Sequence, residues 1–360
     1  MIIKSKKKFF PIMSDKCRIK EIKSFRLGRK VDPLFYLRGG KRMQRILACF
    51  GMILLCLFTL SACGQTLGTG ELKKAGLLVP ETVNDQVWGT KGYKGMLKIQ
   101  SRFNVDVYYK EGMNSEAVVQ RAVKEFDQKG VNLIFGHGNE YAEYFSELSS
   151  DYPHIHFVSF NGNATQKNTT SLNFDAYAMG FFGGMLAGHM TKTNHVGIIA
   201  AYEWQPEVEG FYEGAIFENK DVEVDIQYVW QWDDVERAQM LLDDMIAKDI
   251  DVIYPAGDGY NVPVIEKIKE QGLYAIGYIS DQSDLGESTV LTSTVQHVDT
   301  LYELVAEQFN KGKLESGNLT FDFQDDVISL GEFSPLVDQK YIDSLNEKIE
   351  TYKQTGKLPK

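Results

Sequence analysis

Two stretches of this 360-residue chain end an apolar run in glycines that flank one polar side chain: Asn132-Leu-Ile-Phe-Gly-His-Gly138 and Asp251-Val-Ile-Tyr-Pro-Ala-Gly-Asp-Gly259. Glycine at such a turn lets the backbone approach a bound molecule closely, and His137 and Asp258 would place a polar group beside it. The plainer reading of Gly136 and Gly257 is a tight strand-to-helix turn. Neither turn is a phosphate loop, because G-x-x-x-x-G-K-[ST] occurs nowhere and no G-x-G-x-x-G follows the first strand. There is no Gly-x-Ser-x-Gly elbow and no His-Glu-x-x-His, so triphosphate chemistry and the common hydrolase mechanisms have no starting point. His154 and His156 share a strand face and could touch a metal, yet no third ligand stands at a suitable spacing. Binding without catalysis, cofactor or metal is the expectation.

Both turns belong to one recurring frame. Strands are predicted at 75–79, 104–108, 131–135 and 154–159, separated by helices at 90–103, 115–129 and 141–150. After Leu172 a second series sets helices at 176–190, 207–218, 234–248 and 262–271 among strands at 195–200, 222–229, 251–254 and 274–278. This alternation predicts an α/β fold of two doubly wound lobes, with both glycine turns opening into a cleft between them. The expected division is a basic extension and leader at 1–62, a tether at 63–72, a first lobe at 73–174 and 282–318, and a second at 175–281. Residues 319–360 would then pack across the lobes. The glycine-rich run Gly180-Phe-Phe-Gly-Gly-Met-Leu-Ala-Gly188 has small residues at helical spacing; in a membrane it would suggest helix pairing, but its brevity and His189 favour a buried helix of the body.

Charge is unevenly spread. Residues 1–62 hold 15 of the 39 Lys and Arg but only Asp15, Glu21 and Asp32 among the acids, leaving 24 basic and 46 acidic side chains, a net of −22, on the rest. A body this acidic is repelled by nucleic acid, so direct DNA binding is not expected. The cysteines stand at 17, 49, 56 and 63 and nowhere beyond, which excludes disulfides and Cys-based metal sites from the body. Three of them fall in a segment that reads as a leader: Arg45, an apolar run from Ile46 to Leu60, then Leu60-Ser61-Ala62-Cys63, which is similar to a bacterial lipobox. Lipidation of Cys63 would hang the body on the extracytoplasmic face of the cell membrane, and an uncleaved membrane helix would place it on the same side. The 42 residues before Met43 make either a very long positive region or a cytoplasmic tail, so Met43 is a second candidate start.

Leader, two α/β lobes and facing turns together resemble the basic membrane protein family of lipoprotein solute-binding components of ABC transporters. Three segments carry the resemblance: Leu172-Asn-Phe-Asp-Ala-Tyr-Ala-Met-Gly-Phe-Phe-Gly-Gly-Met-Leu-Ala-Gly188, Tyr274-Ala-Ile-Gly-Tyr-Ile-Ser-Asp-Gln282 and Val290-Leu-Thr-Ser-Thr294. Val87-Trp-Gly-Thr-Lys-Gly-Tyr-Lys-Gly95, Phe135-Gly-His-Gly-Asn-Glu-Tyr-Ala142 and Ala256-Gly-Asp-Gly-Tyr-Asn-Val-Pro263 look most like a member named as a positive regulator of competence. The resemblance implies a type I periplasmic-binding-protein-like fold, an ABC permease as partner, and a small polar ring-bearing ligand such as a purine nucleoside, for uptake or sensing. The alternative it carries is positive regulation of competence genes. With no helix-turn-helix and a net of −22, such regulation is expected to run through a sensed ligand or a membrane partner.

Family members that bind nucleosides clamp the base between aromatic rings and hold the ribose hydroxyls with carboxylates, for which stacking and charge-assisted hydrogen bonds are the physical means. Carried over, this implies Asp85 and Trp88 in the turn after the first strand, Phe211 as the opposing ring with Trp204 as its rival, and Asp258 and Asp281 as hydroxyl acceptors. Each also has an ordinary reading, core packing for the aromatics and helix capping for the carboxylates. Two positions depart from the family pattern: Val295-Gln296 stands where many members have Val-Lys, removing a fixed charge, and His137 replaces a glycine or apolar residue.

Overall fold

The computed structural model describes residues 70–83 and 88–360. The basic extension, the candidate start Met43, the leader with Cys63 and most of the tether lie outside the described residues, as does Asp85. No helix among the described residues is long and apolar enough to cross a membrane.

The first lobe begins with β1 (Lys74–Leu78), α1 (Trp88–Phe103), β2 (Asp106–Lys110), α2 (Glu116–Gln128), β3 (Leu133–Gly136), α3 (Tyr141–Leu148), β4 (His156–Phe160) and β5 (Thr169–Phe174). The second follows with α4 (Tyr177–Met190), β6 (His195–Ala200), α5 (Pro206–Glu218), β7 (Glu223–Tyr228), α6 (Val235–Ile246), β8 (Val252–Ala256), α7 (Asn261–Glu270), β9 (Tyr274–Gly277) and β10 (Val290–Gln296). Then come α8 (Val298–Asn310), β11 (Gly317–Phe321), β12 (Ile328–Leu330) and α9 (Gln339–Thr355). The sheet orders are β11-β5-β4-β3-β1-β2 and β12-β10-β9-β8-β6-β7. Every pairing is parallel except that of β12 with β10.

Sequence pattern explains the elements. On α2 the buried residues Val119, Ala122, Val123 and Phe126 fall at the helical spacing that makes one apolar stripe, and α6 repeats it with Ala238, Leu241, Leu242 and Met245. Asp234 starts α6 by accepting a hydrogen bond from Arg237 N at 2.9 Å. The central strands β3, β4 and β8 are buried along their whole length, as parallel strands covered on both faces must be.

One expected boundary moves. Residues 282–318 do not return to the first lobe as a block: the fully buried strand β10 pairs in parallel with β9, so the chain stays in the second sheet through Gln296. Only then does α8 cross to lie along α1, where Lys98 pairs with Asp299 at 2.7 Å and a β-carbon at Gly95 would collide with the Tyr302 ring. β11 edges the first sheet and β12 the second, and α9 packs on the second lobe through Tyr352 against Phe182 and Tyr341 stacked on His189 at 3.6 Å.

The two strand-face histidines part company. His154 is exposed beside Asp127 at 2.6 Å, whereas His156 is buried and shares a 2.8 Å hydrogen bond with Thr170. The Thr170 hydroxyl donates to Glu315 O, so it accepts from His156 Nε2–H. Burial pushes this imidazole down to about 4. Its folded value lies below the ordinary ~6.5 of an unfolded histidine, so its share of stability is complete above pH 6.5 and is lost as pH falls toward 4. Urea titrations at pH 7 and 5 should show about 2 kcal/mol more acid loss in wild type than in His156→Gln; equal loss in both would remove the assignment.

Candidate ligand cleft

In each sheet the strand order reverses beside the first strand of that lobe, between β1 and β3 in one and β6 and β8 in the other. Ligands of open α/β sheets bind outside the carboxyl ends of strands at such reversals. The carboxyl ends of these four strands border one cleft of about 780 Å³, lined from one side by Val79, Trp88, His137 and Glu140 and from the other by Tyr202, Trp204, Trp232 and Asp258.

Trp88 opens α1 with its indole stacked on the His137 imidazole, centroids 4.4 Å apart and planes within 12°. His137 is buried and held at both nitrogens. Its Nε2 lies 2.6 Å from the Trp88 carbonyl oxygen, which can only accept, so Nε2 carries the proton and the Tyr302 hydroxyl, 2.9 Å away, donates to Nδ1. The Trp88 indole N–H in turn donates to His137 O at 3.3 Å. His137 therefore serves the cleft as the backing plate that fixes Trp88.

The glycines divide by role. A β-carbon at Gly136 or Gly257 would run into the ring of Tyr141 or Tyr260, so these two are small to admit the aromatic ring at, or just before, the start of the next helix. Gly138 and Gly259 are the ones that line the cleft, with Asp258 beside them. Two expected residues lie elsewhere. Phe211 is fully buried against Tyr254, 4.8 Å between centroids, because it continues the core stripe of α5 from Val208 to Ala215. Asp281 is spent on backbone N–H groups, accepting from Ser283 N at 3.1 Å in its own loop and from Glu332 N at 2.9 Å, and does not line the cleft. The rival ring, Trp204, does line it: 66% exposed, it stacks on Tyr202 at 5.4 Å and meets Trp232 edge-on at 5.8 Å.

Two residues of the cleft and one that holds its wall from behind escaped the sequence reading. Glu207, buried at the start of α5, accepts hydrogen bonds from Gln205 Nε2 and Tyr278 Oη, both at 2.9 Å, and burial raises its carboxyl above the ordinary range. Pro206 followed by an acid signals a helix start and nothing more. Tyr278 is the second. Lys91 is the third: its Nζ lies 3.0 Å from Ile279 O and 3.1 Å from Gln296 O, so an ammonium from α1 reaches the position where the sequence had lost a lysine. Among the described residues the lining includes Glu81, Glu140, Glu207, Asp233 and Asp258 but no lysine or arginine.

Residues 72–360 match the family model Bmp, described as ABC transporter substrate-binding protein PnrA-like. The chain belongs to this family. It is 56% identical over 318 residues, 88% of this chain and 99% of the relative, to the transcriptional activator protein med of Bacillus subtilis. It is 24% identical to the ABC transporter nucleoside-binding protein BmpA of Lactococcus lactis, over 80% of this chain and 91% of that protein. Among solved structures, a transcriptional activator of the comK gene from Bacillus halodurans superposes with a TM-score of 0.77 at 53% identity, covering 80% of this chain and all of that one. A solute-binding protein of an ABC transporter system from Conexibacter woesei superposes at 0.64 with 18% identity, over 80% and 98% of the two chains. Family and fold are thus those of two-lobed, type I solute-binding proteins rather than of enzymes.

Proposed function

We propose that the protein is a lipid-anchored receptor on the extracytoplasmic face, attached through Cys63, whose lobes close on a small polar ring-bearing solute of the purine nucleoside class. One observation carries the reading: aromatic rings from opposite lobes, Trp88 on one and Trp204 with Tyr202 and Trp232 on the other, border the same cleft as the Asp258 carboxylate. Rings offer stacking worth roughly 1–3 kcal/mol per base, and a carboxylate accepts the hydroxyls of a sugar. The nucleoside-binding relative supports the class of ligand. A permease is the partner for uptake; a Cys63→Ser variant should leave the membrane fraction on cell fractionation.

The names of the two relatives above 50% identity favour a second role, control of transcription. With its net of −22 the body would exert it through ligand occupancy rather than by contacting DNA. Tight, salt-sensitive binding of the purified protein to promoter DNA would overturn that statement.

The experiment is a thermal-shift and calorimetric panel of nucleosides, free bases and nucleoside monophosphates. A nucleoside should raise the melting temperature, as a ligand of the native state must. Trp88→Ala and Trp204→Ala should each weaken it by about tenfold, the equivalent of 1.4 kcal/mol of lost stacking. The carboxylate-rich lining should make the 5′-monophosphate bind at least about tenfold more weakly than its nucleoside. A flat response across the panel would end the nucleoside reading.

A further inference from the structure

Ile279 holds a backbone conformation that its own side chain resists. Its φ is 62°, and Ser280 N donates to Tyr278 O at 2.7 Å across it, closing a three-residue turn in the left-handed region. A β-branched residue enters that region only where its surroundings force it. The turn follows β9 in the wall of the cleft, next to the Tyr278 that holds Glu207.

Two donors converge on the Ile279 carbonyl oxygen, Gln296 N at 3.0 Å and Lys91 Nζ at 3.0 Å. The same ammonium donates to Gln296 O at 3.1 Å. Lys91 rides on α1 of the first lobe, whereas Ile279 and Gln296 belong to the second, Gln296 being the last residue of β10 before the chain crosses back. One side chain thus joins the lobes at their crossing by satisfying two backbone acceptors, and both of its partners line the cleft.

We propose that Lys91 is the positioning residue for lobe closure: from the first lobe it pins the strained turn at Ile279 and the end of β10, and so sets the cleft wall that a ligand meets. The ligand half of this statement rests on the solute-binding reading; the pinning does not.

The charged groups around Lys91 come from three elements. Asp299 on α8 and Asp258 in the turn after β8 favour its proton, while Lys94 on α1 opposes it. His297, before α8, lies in the same field, and Lys98 is engaged with Asp299. Burial outweighs them and brings Lys91 down to about 8. A neutral amine keeps two N–H groups for two carbonyls, so loss of the proton removes a buried charge without removing either bond. With the lobes apart the side chain meets water and its ordinary value of ~10.4 returns. The joined state holds the proton less firmly, so closure is favoured as pH rises from about 8 toward 10.4 and opposed below that window.

The test uses the full chain, because three of its four tryptophans, Trp88, Trp204 and Trp232, line the cleft and report closure without a label. Without ligand, tryptophan emission of the wild type should inflect near pH 8, and the inflection should vanish in Lys91→Met and Lys91→Arg. With adenosine as probe, wild-type affinity should rise about tenfold from pH 7.5 to 9.5. Lys91→Arg, always charged yet able to serve both carbonyls, should bind with a flat profile, and Lys91→Met should lose at least about tenfold at pH 9.5. Ile279→Gly relieves the turn, so in that background Lys91→Met should cost less than about twofold, a coupling that only a residue acting through Ile279 produces. An inflection that survives Lys91→Met, or an equal loss in both backgrounds, overturns the proposal. If wild type binds no adenosine, the nucleoside reading fails, and the ligand-free titration of the three forms still decides the role of Lys91.

Discussion

Gly184→Val should leave the chain unable to hold its second lobe together. Helices α4 and α5 run in backbone contact along paired glycines: a β-carbon at Gly180 would strike the Glu207 carbonyl oxygen, one at Gly184 that of Phe211, one at Gly210 that of Tyr177 and one at Gly214 that of Phe181. A carbonyl in a helix cannot swing aside as a side-chain tip can, so an isopropyl group at 184 must push two buried backbones apart and open voids along the whole crossing. The expected loss is about 4 kcal/mol or more, a large part of the roughly 5–15 kcal/mol that holds a domain. Gly183→Ala is the control one residue along, where an added methyl meets only side-chain carbons, the nearest Thr294 Cγ2 at 3.3 Å. Urea midpoints should show Gly184→Val collapsed or insoluble and Gly183→Ala close to wild type. Similar midpoints for all three would mean that the contact is not tight in solution. The small-residue spacing read from the sequence is thus used inside the body, where it seats the N-terminus of α5, and Glu207 with it, at the cleft.

Legibility followed the range of the forces involved. Strand-to-helix alternation is local, and the turns at Gly138 and Gly259 stand at the cleft because a polar residue between glycines after a buried strand has few other uses. Asp258 stands between two such glycines, whereas Trp88 is legible only through the family resemblance; both line the cleft. Phe211 obeys a local rule against the cleft: with Val208 and Ala215 it completes a helical stripe that must face the core. Trp204, in the turn before Pro206, is off that stripe and free to line the rim. The lobe that β10 joins is not written in its residues, because pairing partners leave no mark on a buried apolar run. Asp281 is consumed by Glu332, 51 residues away, and Lys91 by carbonyls 188 and 205 residues away. Contacts of that separation are products of the fold and carry no sequence period.

Glu207 offers the second large effect, and its sign depends on the replacement. Glu207→Ala removes the shared acceptor of Gln205 Nε2 and Tyr278 Oη in a buried place; Gln205 keeps Ala256 O at 3.0 Å, but the Tyr278 hydroxyl loses the acceptor to which it donates. The stranded Tyr278 hydroxyl and the void together should cost about 3 kcal/mol. Glu207→Gln keeps an oxygen for both donors and carries no charge to desolvate, so it should stay within about 1 kcal/mol of wild type near pH 5. pH then separates the two neighbours further. Burial raises the folded carboxyl above its ordinary value, so the folded state holds this proton more firmly than the unfolded one. Its contribution is complete below the unfolded value of ~4.3 and is lost as pH rises through the folded one, which makes the glutamine variant gain on wild type across that window. Paired urea titrations from pH 5 to 8 measure the gap. A stability difference between the two that stays constant from pH 5 to 8 would mean that Glu207 is ionised without penalty, and its place at the cleft would then be that of a solvated ligand acceptor rather than the buried brace between Gln205 and Tyr278.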